Sequence, residues 1–311
     1  MPAEAFFQHL LNGLTLGGMY ALIAIGYTLV YGIIELINFA HGEIFTFGAF
    51  LGLLILSTLA STPIGSTAPA LVPAFLVSML VTAGLGVTVE RVAYRPLSRA
   101  SRLALLISAL GASVFLMNAM MLTFGRDSKP FPVYLAAPIY ERGDLVVRQI
   151  DVFLMVLTLA LCILLDQFVR KTRLGRAMRS VAQDREAAQM CGVSVSATIA
   201  VTFALGSALA AAAGILNGLY YGVVRFDMGF LAGMKAFTAA VLGGIGNIRG
   251  AMLGGIVLGV SESLIPALLS APPFSVPEIF DYKDAVAFLI LIAVLIIRPS
   301  GLLGEELPEK A

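Results

Sequence analysis

Residues 196–222 read SATIAVTFALGSALAAAAGILNGLYYG, an apolar run with no Asp, Glu, Lys or Arg. A helix needs about 20 residues to cross the hydrocarbon of a bilayer, and this run exceeds that length. It is continuously apolar rather than alternating, which points to a helix and not to a barrel strand. Within it Gly206, Ala210, Gly214, Gly218 and Gly222 recur at every fourth position and share one helix face. In lipid, apolar side chains gain little by meeting one another, so close backbone approach carries more of the association. Two readings of the small-residue face stand: generic helix packing, or a face that lines a tight, substrate-sized path or slides during gating. Gly250 with Gly254, Gly255 with Gly259, and Gly13 with Gly17 repeat the spacing.

Working outward, the whole chain has the same character. It is 59% hydrophobic and 13% charged, against about 25% charged in a soluble domain. Its mean hydropathy is +0.94. The expected fold is all-α, a polytopic membrane bundle with one transmembrane domain over 1–311. Helices are expected at 10–32, 37–60, 70–92, 103–124, 150–169, 196–222, 230–247, 250–270 and 282–298. The segment 230–247 contains Lys235 and ends in Gly243, Gly244 and Gly246, so it either crosses or re-enters; the total is eight or nine crossings. No Lys or Arg precedes the first apolar run, so that run reads as a retained helix and not a cleaved signal. Cys162 sits in an apolar run and Cys191 in a polar loop, which implies no disulfide framework. The net charge of +1 gives no indication of nucleic-acid binding.

Basic residues set the orientation. Arg91, Arg95, Arg99 and Arg102 surround one loop, opposed by Glu90, and Arg170, Lys171, Arg173, Arg176, Arg179 and Arg185 fill another. Both loops are expected in the cytoplasm. The balanced segment 125–149 is expected on the periplasmic side, and nine crossings place the N-terminus outside and the C-terminus inside.

The nucleotide-binding pattern GxxxxGK[ST] is absent, because the sequence contains no Gly-Lys pair. The glycines of 243–250 join two membrane segments and read as a tight turn. Any ATP is therefore hydrolysed by another chain. In the loop 170–195, Ala177, Val181 and Ala188 alternate with charges and suggest a short amphipathic helix closed by Gly192. Gly175, Arg176, Arg179, Glu186, Ala187, Ala188 and Gly192 are the candidates for contact with a cytoplasmic partner. Asn38, His41 and Glu43, expected near the inner interface, serve either as capping groups or as a gate. Lys235 is a fourth gate or pathway candidate, beside Glu35, Asp227 and Glu262; it either snorkels or pairs with a carboxylate. His9 and His41 are the only histidines, and no ligand set for a metal assembles. No Asp/Glu/His chain follows one helix as a proton relay requires, and no catalytic constellation is present.

These segments together resemble one family. Gly13-Leu14-Thr15-Leu16-Gly17-Gly18-Met19-Tyr20-Ala21, then Asn38–Glu43, then Glu90-Arg91-Val92-Ala93-Tyr94-Arg95-Pro96-Leu97 are similar to the LivH-type permeases of branched-chain amino acid ABC importers. So are Met234-Lys235-Ala236-Phe237-Thr238-Ala239-Ala240-Val241-Leu242-Gly243-Gly244 and the closing Arg298-Pro299-Ser300-Gly301-Leu302-Leu303-Gly304. Glu186-Ala187-Ala188 with Gly192 resembles the EAA…G coupling segment of such permeases. Asn247-Ile248-Arg249 departs from the Gly-Ser-Ile-Pro-Gly type of turn. The resemblance implies a second homologous permease subunit, two cytoplasmic ATP-binding subunits that use ATP, and a periplasmic solute-binding protein, assembled in the bacterial inner membrane among its lipids. It implies no cofactor bound by this chain. The rival readings are an ABC permease for urea or other amino acids, and an ion-coupled secondary transporter with a buried ion site.

Overall fold

The computed structural model describes residues 2–304 except 64, 66, 99 and 299. Arg99 of the basic loop and Pro299 of the closing motif therefore lie outside the described residues. The long apolar runs form α1 (Ala3–Ile34), α2 (His41–Leu59), α3 (Leu71–Val89), α4 (Arg102–Phe124) and α5 (Gln149–Lys171). The charged loop forms α6 (Arg173–Gln183) and α7 (Arg185–Met190), and the chain continues through α8 (Val195–Tyr221), α9 (Met228–Gly243), α10 (Ile248–Ser270) and α11 (Lys283–Ile297). Among the described residues, seven helices are long and apolar enough to cross a membrane. The apolar α9 and α11 are shorter, at 16 and 15 residues.

Two ends of the bundle are defined by contacts. At one, Val146 N donates to Gln8 Oε1 at 2.7 Å, and Ser263 Oγ to the His9 carbonyl at 2.7 Å. The segment 125–149, read as a plain loop from sequence, forms β1 (Lys129–Pro130) and a hairpin of β2 (Pro138–Arg142) and β3 (Leu145–Arg148) at this end. β1 pairs antiparallel with β4 (Val223–Val224), tying the end of α8 to the same face. Hydrogen bonds to Asp151 raise the pKa of the Arg148 guanidinium there. At the other end Arg185 donates to the Ile33 carbonyl at 2.6 Å, Arg102 pairs with Glu35 at 3.2 Å, and Arg249 with Asp166 at 3.2 Å. The basic residues gather here.

α1 and α10 cross most intimately. A Cβ on Gly17 would meet the backbone of Ile256, and one on Gly259 would meet that of Gly17, so the two helices touch main chain to main chain. α8 is the second central helix. A Cβ on Gly206 would lie 3.2 Å from the Gly26 carbonyl, one on Gly214 would strike the Phe45 carbonyl, and one on Gly218 the Phe131 ring. Gly222 departs from the packing expected of it. It ends α8 with φ 68°, and nothing lies within 4 Å of where its Cβ would be. It serves as a left-handed helix terminator.

The 243–250 glycines make the expected turn. Gly244 and Gly246 have φ of 104° and 95°. Asn247 Oδ1 accepts from Arg249 N at 3.0 Å and Gly250 N at 3.1 Å, capping α10. The closing segment folds back on this turn: Leu302 N donates to the Leu242 carbonyl at 2.8 Å, and Asn247 Nδ2 to that of Leu303 at 2.8 Å. The free carbonyls at the end of α9 are satisfied in this way.

Candidate functional site

Three arrangements hold the residues singled out from sequence. The first is the arm 170–195, which is two helices and not one. Asp184 breaks it because its Oδ1 accepts from Glu186 N at 2.9 Å and Ala187 N at 3.0 Å, starting α7 afresh. Thr172 caps α6 by accepting from Gly175 N at 3.0 Å. A Cβ at Gly175 would collide with the Val169 and Phe168 carbonyls, so glycine lets α6 fold tightly against the end of α5. Arg179 also donates to the Val169 carbonyl. At the far end Gly192, with φ 82°, lets Val193 N reach the Ala188 carbonyl and its own N reach that of Gln189, both at 3.0 Å. This double bond pattern is a Schellman closure. Gly175, Met178, Val181 and Ala188 face inward, while Arg176, Arg179, Glu186 and Ala187 are exposed. Met190 is 88% exposed, the more exposed of two large apolar groups, with Leu174 at 50%, on an arm that is otherwise mostly polar outside.

The second arrangement is the junction of α1, α2 and α9. From sequence, Asn38, His41 and Glu43 sit near the interface on a helix starting at 37. The structure starts α2 at His41 and places it deep. Cβ atoms built on Gly26 would meet the His41 ring, and Gly26 stands roughly 12 Å short of the end of α1 at about 1.5 Å per residue. Glu35 is exposed where α1 ends, and residues 36–39 lead back into the protein outside any helix, with Asn38 buried and a turn closed by His41 N on the Asn38 carbonyl at 3.0 Å. That conformation is tolerated at membrane depth only where protein surrounds it. Asn38 does not cap α2. Its Oδ1 accepts from Tyr94 Oη at 2.9 Å and from Ala40 N at 3.2 Å. His41 packs edge-on to Tyr27 with ring centroids 4.7 Å apart. Gly42 and Gly229 touch through their backbones, bringing the starts of α2 and α9 together inside the bundle. Asn38, His41 and Glu43 are each 1% exposed, and Asn38 Nδ2, both His41 ring nitrogens and Glu43 Oε2 have no hydrogen-bond partner.

Lys235 does not join that junction. It belongs to a third arrangement, pairing with Glu262 at 2.7 Å and Asp284 at 2.5 Å. Tyr20 Oη donates to Glu262 Oε2 at 2.9 Å. Lys235 is 7% and Glu262 5% exposed, so the pair is desolvated and joins α1, α9, α10 and α11. Of the two sequence readings, pairing with a carboxylate is the one the geometry contains. Tyr20, Tyr94 and Asp284 were missed as partners. An acid in the first turn of the last apolar run was the available signal for Asp284; nothing in the local pattern marks the tyrosines. Asp227, another candidate, pairs instead with Arg225 at 2.7 Å on the surface.

A bundle of apolar helices crossed by a buried ion-pair network, with a capped charged arm at one end, is a polytopic membrane protein. The chain belongs to the family described as branched-chain amino acid transport system / permease component, whose model matches residues 9–295. It is 45% identical to the high-affinity branched-chain amino acid transport system permease protein BraD of Pseudomonas aeruginosa, over 98% of each chain. It is 43% identical to the LivH permease protein of Salmonella typhimurium, over 98% of this chain and 97% of that one. A probable branched-chain amino acid transport permease of Methanocaldococcus jannaschii is 28% identical over 93% of this chain and 89% of that protein. The chain is thus a multi-pass permease component, and the part of such a system that carries out ATP hydrolysis lies elsewhere.

Proposed function

We propose that this chain is a permease subunit that moves branched-chain amino acids inward across the bacterial cytoplasmic membrane. The 45% identity over 98% of both chains to a permease named for that transport carries the reading. A second homologous permease completes the pathway, two ATP-binding subunits dock on the basic face, and a periplasmic binding protein delivers the solute. The chain itself binds no cofactor, and ATP is used by its partners. The seven membrane-length helices together with α9 and α11 make nine crossings, with the 125–149 hairpin outside and the arm 170–195 in the cytoplasm.

In this reading the arm α6–α7 is the coupling element. Its exposed side offers Arg176, Arg179, Glu186, Ala187 and Met190 to an ATPase groove, and Gly175 and Gly192 set its two ends. Arg185, bonded to the Ile33 carbonyl, passes movement of the arm to the end of α1. α1 carries it to the buried junction, where the Asn38, His41 and Glu43 segment acts as the gate.

The complex, purified with its ATPases and binding protein and placed in vesicles, is expected to accumulate leucine only with ATP. Met190→Asp puts a charge on the exposed docking side without touching the inward face, so it is expected to strip the ATPases during co-purification while the permease still inserts. Leucine accumulation by the isolated chain, or undiminished ATPase retention by the Met190 variant, defeats the coupling scheme.

A further inference from the structure

A cleft of about 470 Å³ opens at the basic end between the end of α1, the end of α3, the start of α4 and the α7–α8 turn. Its lining divides by chemistry. Ile34, Leu105 and Ile199 provide apolar wall, and Glu90, Arg95 and Arg185 provide charge. Glu90 lies where α3 widens into a π-helical turn, Glu90–Tyr94, and it is 2% exposed. Its Oε1 accepts from Arg95 Nε at 3.1 Å, while Oε2 has no hydrogen-bond partner. A buried carboxylate oxygen without a donor costs the desolvation of a charged acceptor. It lies just beneath the cleft wall, out of contact with solvent, so a donor brought from outside reaches it as the wall yields. Arg185 uses part of its five-donor guanidinium on the Ile33 carbonyl and has capacity for an acceptor. Acid, arginine and an aliphatic wall in a space of this size match an ammonium, a carboxylate and a branched side chain.

We infer that this cleft binds an aliphatic α-amino acid as its zwitterion, entering from the cytoplasmic side. The ammonium donates to Glu90 Oε2, the carboxylate accepts from Arg185, and the side chain lies against Ile34, Leu105 and Ile199. The inference rests on the functional reading above, because it makes the transported product the ligand of the machine that delivers it. Arg185 stands on α7 and Ile34 on the end of α1, so a bound molecule ties the coupling arm to the bundle beside the bond that already joins them. Product accumulating inside then resists movement of the arm and slows ATP hydrolysis.

The test is equilibrium binding of radiolabelled leucine to the whole transporter in nanodiscs, with the periplasmic binding protein left out. Saturable binding is expected. 4-Methylpentanoate, which lacks the ammonium, and 3-methylbutylamine, which lacks the carboxylate, are each expected to compete roughly tenfold more weakly or worse, since each leaves a charged group unpaired. Glu90→Gln is expected to weaken leucine binding by a similar factor, and Ile199→Trp, which fills the cleft, to remove it while the subunits still co-purify. No saturable binding, equal competition by the two analogues, or unchanged binding in the Ile199 variant overturns the site. Receptor-driven leucine uptake by the unmodified complex is measured in parallel. Uptake without cleft binding removes this site alone, and absence of uptake removes the functional reading whatever the cleft binds.

Discussion

α1 and α8 have mean hydropathies of 1.6 and 2.1, and 83% and 67% of their spanning windows are buried; α4 and α5, at 2.0 and 2.4, are 22% and 28% buried. Hydropathy does not separate the two pairs, and the least apolar membrane-length helix is the most enclosed. The solvent explains this. In water a buried helix is the more apolar one, but lipid tails are as apolar as leucine and offer no reason to hide it. What takes a helix to the centre is the ability to bring its backbone close to another and to satisfy polar groups there. α1 does the first with Gly13, Gly17 and Gly26 and the second with Tyr20; α4 presents Leu103, Ile107, Phe115 and Leu122 outward instead.

The contrast breaks first, and hardest, at the polar network. Lys235→Met leaves Glu262 desolvated without its cation, a loss on the order of 3–5 kcal/mol. A large fall in the thermal midpoint of the detergent-solubilised protein is expected. Glu262→Gln in the same chain should restore part of it by removing the orphaned charge. A Lys235→Met midpoint equal to that of the parent means that the centre of the bundle is wetter than the geometry implies. Next in size is Gly214→Leu. Its side chain enters where Phe45 and Ala49 of α2 already touch α8, and overpacking of this kind costs about 1–3 kcal/mol or more. Gly222→Ala meets no neighbour and bears only the left-handed penalty, about 1 kcal/mol. If the Gly222 variant loses as much stability as the Gly214 one, the small-residue face does not act through backbone contact.

How far the sequence could be read follows the same line. The apolar runs locate the helices closely, as with 103–124 against Arg102–Phe124 and 150–169 against Gln149–Lys171. The start of α2 was misplaced because Ile37-Asn38-Phe39-Ala40 is apolar enough to pass for a helical turn, while 37–38 belong to no regular element and 39–40 form a non-helical turn, with Asn38 and Ala40 buried. Burial depth is a tertiary property, so His41 looked interfacial. The arm looked like one helix because its periodicity continues through Asp184, and a capping aspartate interrupts a helix without interrupting its pattern. Lys235 was visible as an anomaly, but its partners Glu262 and Asp284 reach it only through the packing of α9, α10 and α11. The glycine spacing on 206–218 was legible in full, and its last member, Gly222, was not, since a fourth-residue repeat runs on into a helix cap without changing.

The smallest effect sharpens the comparison from the other side. Leu122 on α4 is 82% exposed, on the side of the helix that also presents Phe115. In a bilayer Leu122→Ala exchanges one lipid contact for another, so a change within about 0.5 kcal/mol is expected for the isolated subunit. The same substitution should be repeated in the assembled transporter, where the proposed second permease would need some apolar face to rest against. If the complex loosens while the lone subunit does not, α4 is a subunit interface, and its low burial reflects a missing neighbour rather than lipid. If neither changes, lipid covers α4 in both states, and the enclosed small-residue core and the open large-residue rim are two responses of one chain to a solvent that does not reward hiding hydrocarbon.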